Sequence, residues 1–121
     1  MKPAEAYILQ QPEPFKSILL HLQLLIENAF PDVELKYKYK IPFYYINEKP
    51  FCYLNSVVKK GYVDVGFWAS THLKYNENLV SDGRKVVKSL RYRTINKIDE
   101  TVLLSVLEEA YKVNYKGFWN L

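Results

Sequence analysis

Hydrophobic positions recur along this chain with two different periods, and the change from one to the other marks its elements. Between Glu13 and Phe30 the apolar residues Phe15, Ile18, Leu19, Leu22, Leu25, Ile26 and Ala29 fall three and four apart, the stripe of an amphipathic helix. Pro12 and Pro14 stand at its start, where a missing N–H costs little, and Pro31 ends it. From Glu34 the period drops to two. Leu35, Tyr37, Tyr39 and Ile41 alternate with Glu34, Lys36, Lys38 and Lys40, which predicts a strand with its tyrosines turned to the helices and its lysines in water. Pro42 cannot donate to a sheet ladder, so it marks an edge, a bulge or a bend.

Beyond Pro42, FYYIN resumes as strand, EKP turns, and FCYLNSVV runs as the next strand. KKG then turns into a further strand, YVDVGFWAS. Links this short make an antiparallel meander, because parallel crossovers need a dozen or so residues. Residues 70–82 have weak periodicity and read as a loop with a short helical turn. GRKVVKSLRYRTI is the last strand, with Leu90, Tyr92 and Thr94 on one face and Ser89, Arg91 and Arg93 on the other. Asp99 is placed to cap the closing helix and Glu100 to favour its first turn. Val102, Leu103, Val106, Leu107, Ala110 and Tyr111 form that helix's stripe. The tail YKGFWNL carries two large aromatics expected to dock back on the domain. The predicted class is α+β: an antiparallel sheet of four to five strands with the N- and C-terminal helices packed on one face. The other face is expected to carry the lysines.

Composition narrows the picture without redirecting it. At 121 residues, with 49% hydrophobic and 25% charged, the chain reads as one globular domain, its core within about residues 13–115. Its first residues lack the apolar run of a signal peptide or membrane span, so a cytoplasmic protein without a membrane partner is expected. Cys52 is the single cysteine, set in the apolar stretch PFCYL, and reads as a small core residue. The net charge of +4 hides an asymmetry. Lys36 to Lys97 holds thirteen Lys or Arg against four acids, a surplus of nine, while the two ends hold four cations and nine acids, a deficit of five. A basic centre attracts nucleic acid or small anions, and it is also what a solvated sheet face looks like.

Catalytic chemistry finds little foothold. His21 and His72 are isolated, no His-x-x-x-His or Cys-x-x-Cys occurs, and the four glycines form no phosphate loop. Ser70, Thr71 and His72 are adjacent, but neighbours on an extended chain point apart and no nucleophile elbow surrounds them. A non-enzymatic protein without a cofactor is expected; whether a metal is held stays open, Glu34, Glu48 and Asp64 being the oxygen donors that strands can bring together. For nucleic acid, Lys36, Lys38, Lys40, Arg91 and Arg93 can share one face, but the alternation puts Tyr37 and Tyr39 opposite them. Stacking would fall to Tyr44, Tyr45, Tyr53, Tyr62 or Trp68, half of which the core must claim.

Several segments together carry a family likeness: Pro-Asp followed by Glu34, Tyr-Lys-x-Pro-Phe at 39–43, Gly-Phe at 66–67, and Gly-Arg-Lys before the last strand. With these, from about Phe15 to Val113, the chain resembles the YdhG-like domains of unknown function. The resemblance implies an α+β domain with an antiparallel sheet backed by its terminal helices. Some members are described as frataxin-like intracellular iron chaperones, a role needing acidic or mixed ligands. Here the centre is basic and the acids, such as Glu108 and Glu109, lie at the ends.

The expected function is a binding or chaperone-like module for a small anionic molecule or a peptide. Iron binding and weak nucleic-acid binding on the basic face are the alternatives, and nucleic acid is the disfavoured partner. The candidate contact is the break at Pro42, where Lys40, Phe43 and Tyr45 can leave a concave surface near Glu34, Asp64 and Trp68; a plain structural bend is the competing account. Arg84 and Lys85 offer an anion contact beside Gly83. An exposed edge strand gives the chain a way to pair with a second copy, so a monomer or weak homodimer is expected.

Overall fold

The short links of the central segment leave each strand next to its chain neighbour. In the computed structural model, which describes residues 2–68, 78–84 and 87–115, β1 (Glu34–Lys38), β2 (Ile41–Ile46), β3 (Lys49–Val57), β4 (Tyr62–Trp68) and β5 (Val87–Tyr92) form one antiparallel sheet in that order. Helices α1 (Pro3–Gln10), α2 (Phe15–Ala29) and α3 (Glu100–Tyr115) all lie on one face, α1 over β1 and β2, the other two over β3 and β4.

The register sorts side chains into two rows. Leu54, Val65 and Leu90 stand opposite one another facing the helices, where they meet Ile18, Leu22, Leu103 and Leu107 in the core. Phe43, Tyr53, Gly66 and Ser89 form the matching row on the open face. Both terminal helices take the positions their stripes predict. The Glu13 carboxylate accepts from the Ser17 N–H and hydroxyl at 3.0 and 2.9 Å, closing the start of α2. Asp99 accepts from the Val102 N–H at 3.2 Å as the cap of α3. His21 meets Glu100 at 3.2 Å and so joins α2 to α3.

Three features depart from the pattern reading. Helix α1 lies in a stretch that carried no predicted element; Ala4 and Ile8 are buried and the Tyr7 hydroxyl accepts the Ser56 N–H at 2.9 Å, so the core reaches back to Ala4. Eight residues are too few for a helical period to stand out, and Pro3 reads as a breaker although it sits at the helix start, where it is tolerated.

Second, the strand predicted through Ile41 ends at Lys38. Tyr39 and Lys40 form a two-residue hairpin turn with φ of 54° and 65°, and Tyr39 is 85% exposed instead of facing the helices. No Gly or Asn signals this turn. It forms because closing there pairs Glu34–Lys38 with Ile41–Tyr45 and delivers Tyr44 and Ile46 to the core. Third, the open face carries a largely aromatic and arginine-rich layer, with Lys36 and Lys38 confined to edge strand β1.

Cys52 is buried in the core, and desolvation pushes its thiol well above the ordinary value. Ser70, Thr71, His72 and the tail aromatics lie outside the described residues. Among those described, no helix is long and apolar enough to cross a membrane.

Candidate functional site

β4 reads Tyr62-Val63-Asp64-Val65-Gly66-Phe67, and every one of these side chains is buried, on both faces of the sheet. Val63, Val65 and Phe67 face the helices. Tyr62, Asp64 and Gly66 therefore face the opposite way, under cover that must satisfy a carboxylate.

The cover is a polar network. Asp64, 5% exposed, receives the Arg91 Nε–H on Oδ1 at 2.8 Å and the hydroxyls of Tyr53 and Ser89 on Oδ2, each at 3.0 Å. Arg91 reaches on through Nη2 to Asp82. Arg84 donates to the Tyr53 hydroxyl, to Ser89 Oγ and to the carbonyls of Val80 and Ser81, at 2.8 to 3.0 Å. Residues 80–84 are thereby fastened to the face, helped by the backbone pairing of Val80 with Ser89. Gly66 is required beneath: a Cβ there would come within 2.1 Å of the Tyr53 ring, which lies across it.

The network fixes protonation states. Burial first, then the Asp64 carboxylate, hold the Tyr53 phenol above its usual range, so it stays a neutral donor. Burial works against the Arg91 charge, but its bonds to Asp64 and Asp82 outweigh that and hold the guanidinium protonated. The Arg91 hydrogen bond also holds Asp82 below the ordinary carboxylate value.

The predicted site residues fall into two groups along this face. Phe43 is 4% exposed and packs against Tyr39, Tyr45 and Tyr53, with ring centres 5.4 to 5.9 Å apart. Glu34 pairs with Tyr45 across β1 and β2, while Lys36 Nζ sits 4.8 Å over the Tyr45 ring. Pro42 is buried opposite Tyr37, and Lys40 belongs to the exposed turn, so the break at 42 is a closed hairpin with its apolar residues packed. Asp64 lies apart from Glu34 and Lys40, and Tyr53, which donates to Asp64 and packs on Phe43, links it to Phe43. Lys85 and the Trp68 side chain lie outside the described residues.

At the β4–β5 end a cavity of about 420 Å³ opens, lined by Tyr62, Arg91, Arg93 and Lys97. The guanidinium carbons of Arg91 and Arg93 stand 4.7 and 5.8 Å from the centre of the Tyr62 ring. Arg93 Nη1 donates to the carbonyls of Lys60 and Gly61 at 2.9 and 3.4 Å. Tyr62 and Lys97 escaped the sequence-based site. The signal that points to Tyr62 is the polar residue at every second place in an otherwise apolar strand; Lys97, in the 3-10 turn Ile95–Lys97, has no such signal.

No group of three His, Cys, Asp or Glu side chains that can hold a metal ion is found among the described residues. Glu34 and Asp64, set on β1 and β4, are separated by two intervening strands.

A family model for a domain of unknown function, DUF5655, matches residues 4–114. The chain belongs to the DUF5655 family. Its fold is shared with a DUF1801-family protein, YdhG from Bacillus subtilis, whose crystal structure superimposes with a TM-score of 0.68 at 16% sequence identity, covering 94% of this chain and 90% of that one. The YdhG-like resemblance is thus borne out in the fold. No curated protein matches this DUF5655 domain.

Proposed function

We propose that this DUF5655 domain is a non-enzymatic binding module that takes a small anionic ligand on the open face of its sheet, at the β4–β5 end. The observation that carries the reading is the cavity lined by Arg91, Arg93, Lys97 and Tyr62, where three cations converge around about 420 Å³ of open space. That volume falls in the range of about 300–1,000 Å³ typical of small-ligand pockets. The polar network behind it supports the same reading. Asp64 and Asp82 hold Arg91 in one orientation, which lowers the ordering cost of binding. The packing of Phe43 and Pro42 moves the expected contact away from the β1–β2 hairpin. Nucleic acid is less well served, because Tyr62 is buried and Tyr53 lies flat over Gly66, so neither offers a free face for a base.

Backbone amide shifts of isotope-labelled protein, followed while inorganic phosphate, sulfate and citrate are added, test the reading. Shifts gathered at Gly61, Tyr62, Arg93 and Lys97 are the expected result. Silence at those amides up to tens of millimolar anion, or shifts gathered instead at Phe43 and Tyr45, would overturn it.

A further inference from the structure

The same cavity discriminates between anions, and its hydrogen-bond geometry and charge balance say how. Among the described residues Arg93 is held through one nitrogen: Nη1 points to the Lys60 and Gly61 carbonyls. Its Nε and Nη2, the side-on edge of the guanidinium, have no hydrogen-bond partner among the described residues. That edge presents two parallel N–H groups, the arrangement that grips two oxygens of a phosphate or carboxylate together. Anchoring Nη1 on backbone carbonyls orients the edge before any ligand arrives.

Charge then separates the oxyanions. Arg91, Arg93 and Lys97 line the cavity, while the two carboxylates of the network behind it, Asp64 and Asp82, both pair with Arg91. Lys60 stands close enough to Asp82 to favour its ionised form. Asp99 caps α3, lies beside Tyr92 in the helix-facing layer and is not among the residues that line the cavity. Arg91 is matched by its two acids, whereas Arg93 and Lys97 form no ion pair with a carboxylate among the described residues, which leaves two cations of the cavity without a paired acid there.

We infer that the cavity binds a phosphate monoester as its dianion, with Arg93 taking two phosphate oxygens side-on and Lys97 supplying the second charge. The inference rests on the anion-binding reading above and narrows it to one ligand class. A space of about 420 Å³ exceeds the phosphate group itself, leaving room for the organic part of the ester. With the Tyr62 ring buried beneath two guanidinium groups, that part is offered no free stacking platform.

Methyl phosphate and methyl sulfate have nearly the same shape but carry two charges and one at pH 8, since a phosphate monoester loses its second proton near about pH 6. Calorimetric titration with both, and with the dicarboxylate malonate, tests the inference on the intact chain. Methyl phosphate is expected to bind at least about tenfold tighter than either of the others. Equal affinity for phosphate and sulfate esters, or tighter binding of malonate, overturns the dianion inference and leaves the broader anion reading standing. Absence of binding by all three overturns both. Arg93→Lys, at an exposed position, is expected to keep the fold, checked by its amide spectrum, and to weaken methyl phosphate about tenfold, because an ammonium keeps the charge but loses the paired donors. An unchanged affinity in that variant would overturn the assignment of Arg93.

Discussion

Neighbouring residues of β4 meet opposite solutions to the same problem. Val63, Val65 and Phe67 are fully buried beneath the three helices and need only close packing. Asp64 and Gly66, one position away on the other face, are as deeply set, yet the side chains around them are Tyr53, Ser89, Arg84 and Arg91. The helix-covered face tolerates any well-shaped apolar set; the open face works only with this set of donors and acceptors in register. A polar layer of this kind brings less hydrophobic stabilisation than a second apolar core. What it provides is a rigid base for the Arg91 side chain, beside which Arg93 is anchored on the Lys60 and Gly61 carbonyls.

Removing one side chain from each face tests that contrast most severely. Phe67→Ala is expected to lower stability by about 4 kcal/mol, measured by urea unfolding, through lost burial and the cavity left in the core. Asp64→Ala is expected to cost about 3 kcal/mol, nearly as much despite the smaller side chain, because Arg91, Ser89 and Tyr53 all lose their acceptor. A loss below about 1 kcal/mol, the level of an exposed ion pair, would show that the open face is merely solvated surface.

Gly66→Ala probes the network without removing any polar group. The new Cβ would collide with the Tyr53 ring, so the ring must lift from the strand, and a loss of about 2 kcal/mol is expected. The Tyr53 phenol should then titrate closer to its ordinary value, readable by ultraviolet difference absorbance.

The smallest expected effect sharpens the role of Asp82. Its carboxyl lies below the ordinary value of 3.8, chiefly through the Arg91 hydrogen bond, so its contribution is present above that pH and lost as pH falls through the lower, folded-state value. The stability difference between the parent protein and Asp82→Asn is therefore expected to be constant near neutrality and to shrink below pH 3.8. A difference that persists unchanged in strong acid would remove Asp82 from the network.

Much of the architecture was legible in the residue pattern. The stripes from Phe15 to Ala29 and from Val102 to Tyr111 became α2 and α3, and the two-residue period became a meander of five strands. The hairpin at Tyr39 and Lys40 was not legible, since residues with side chains adopt positive φ there only because the strands on either side pair well. The site was legible only in fragments. Asp64, Arg84, Arg91 and Arg93 all stood out as charged residues, but their grouping depends on cross-strand register, which places Tyr53 opposite Gly66 and Asp64 opposite Arg91. The Gly-Phe and Gly-Arg-Lys segments acquire a physical reading from the same register: Gly66 makes room for Tyr53, and Arg84 ties residues 80–84 to the sheet.

By itself the sequence determined the fold class, the helix faces, the order of the first four strands and the inside position of Cys52, because these follow from local period and from links too short to permit another topology, whereas the longer link from Trp68 to Val87 left the place of β5 to the tertiary structure. Only the tertiary structure decided where α1 packs, that Pro42 is enclosed, and that the basic centre divides into a few edge lysines and an arginine cluster at β4–β5. Those outcomes rest on contacts between residues far apart in the chain, and a pattern read along one dimension carries no information about which side chains register and folding will bring face to face.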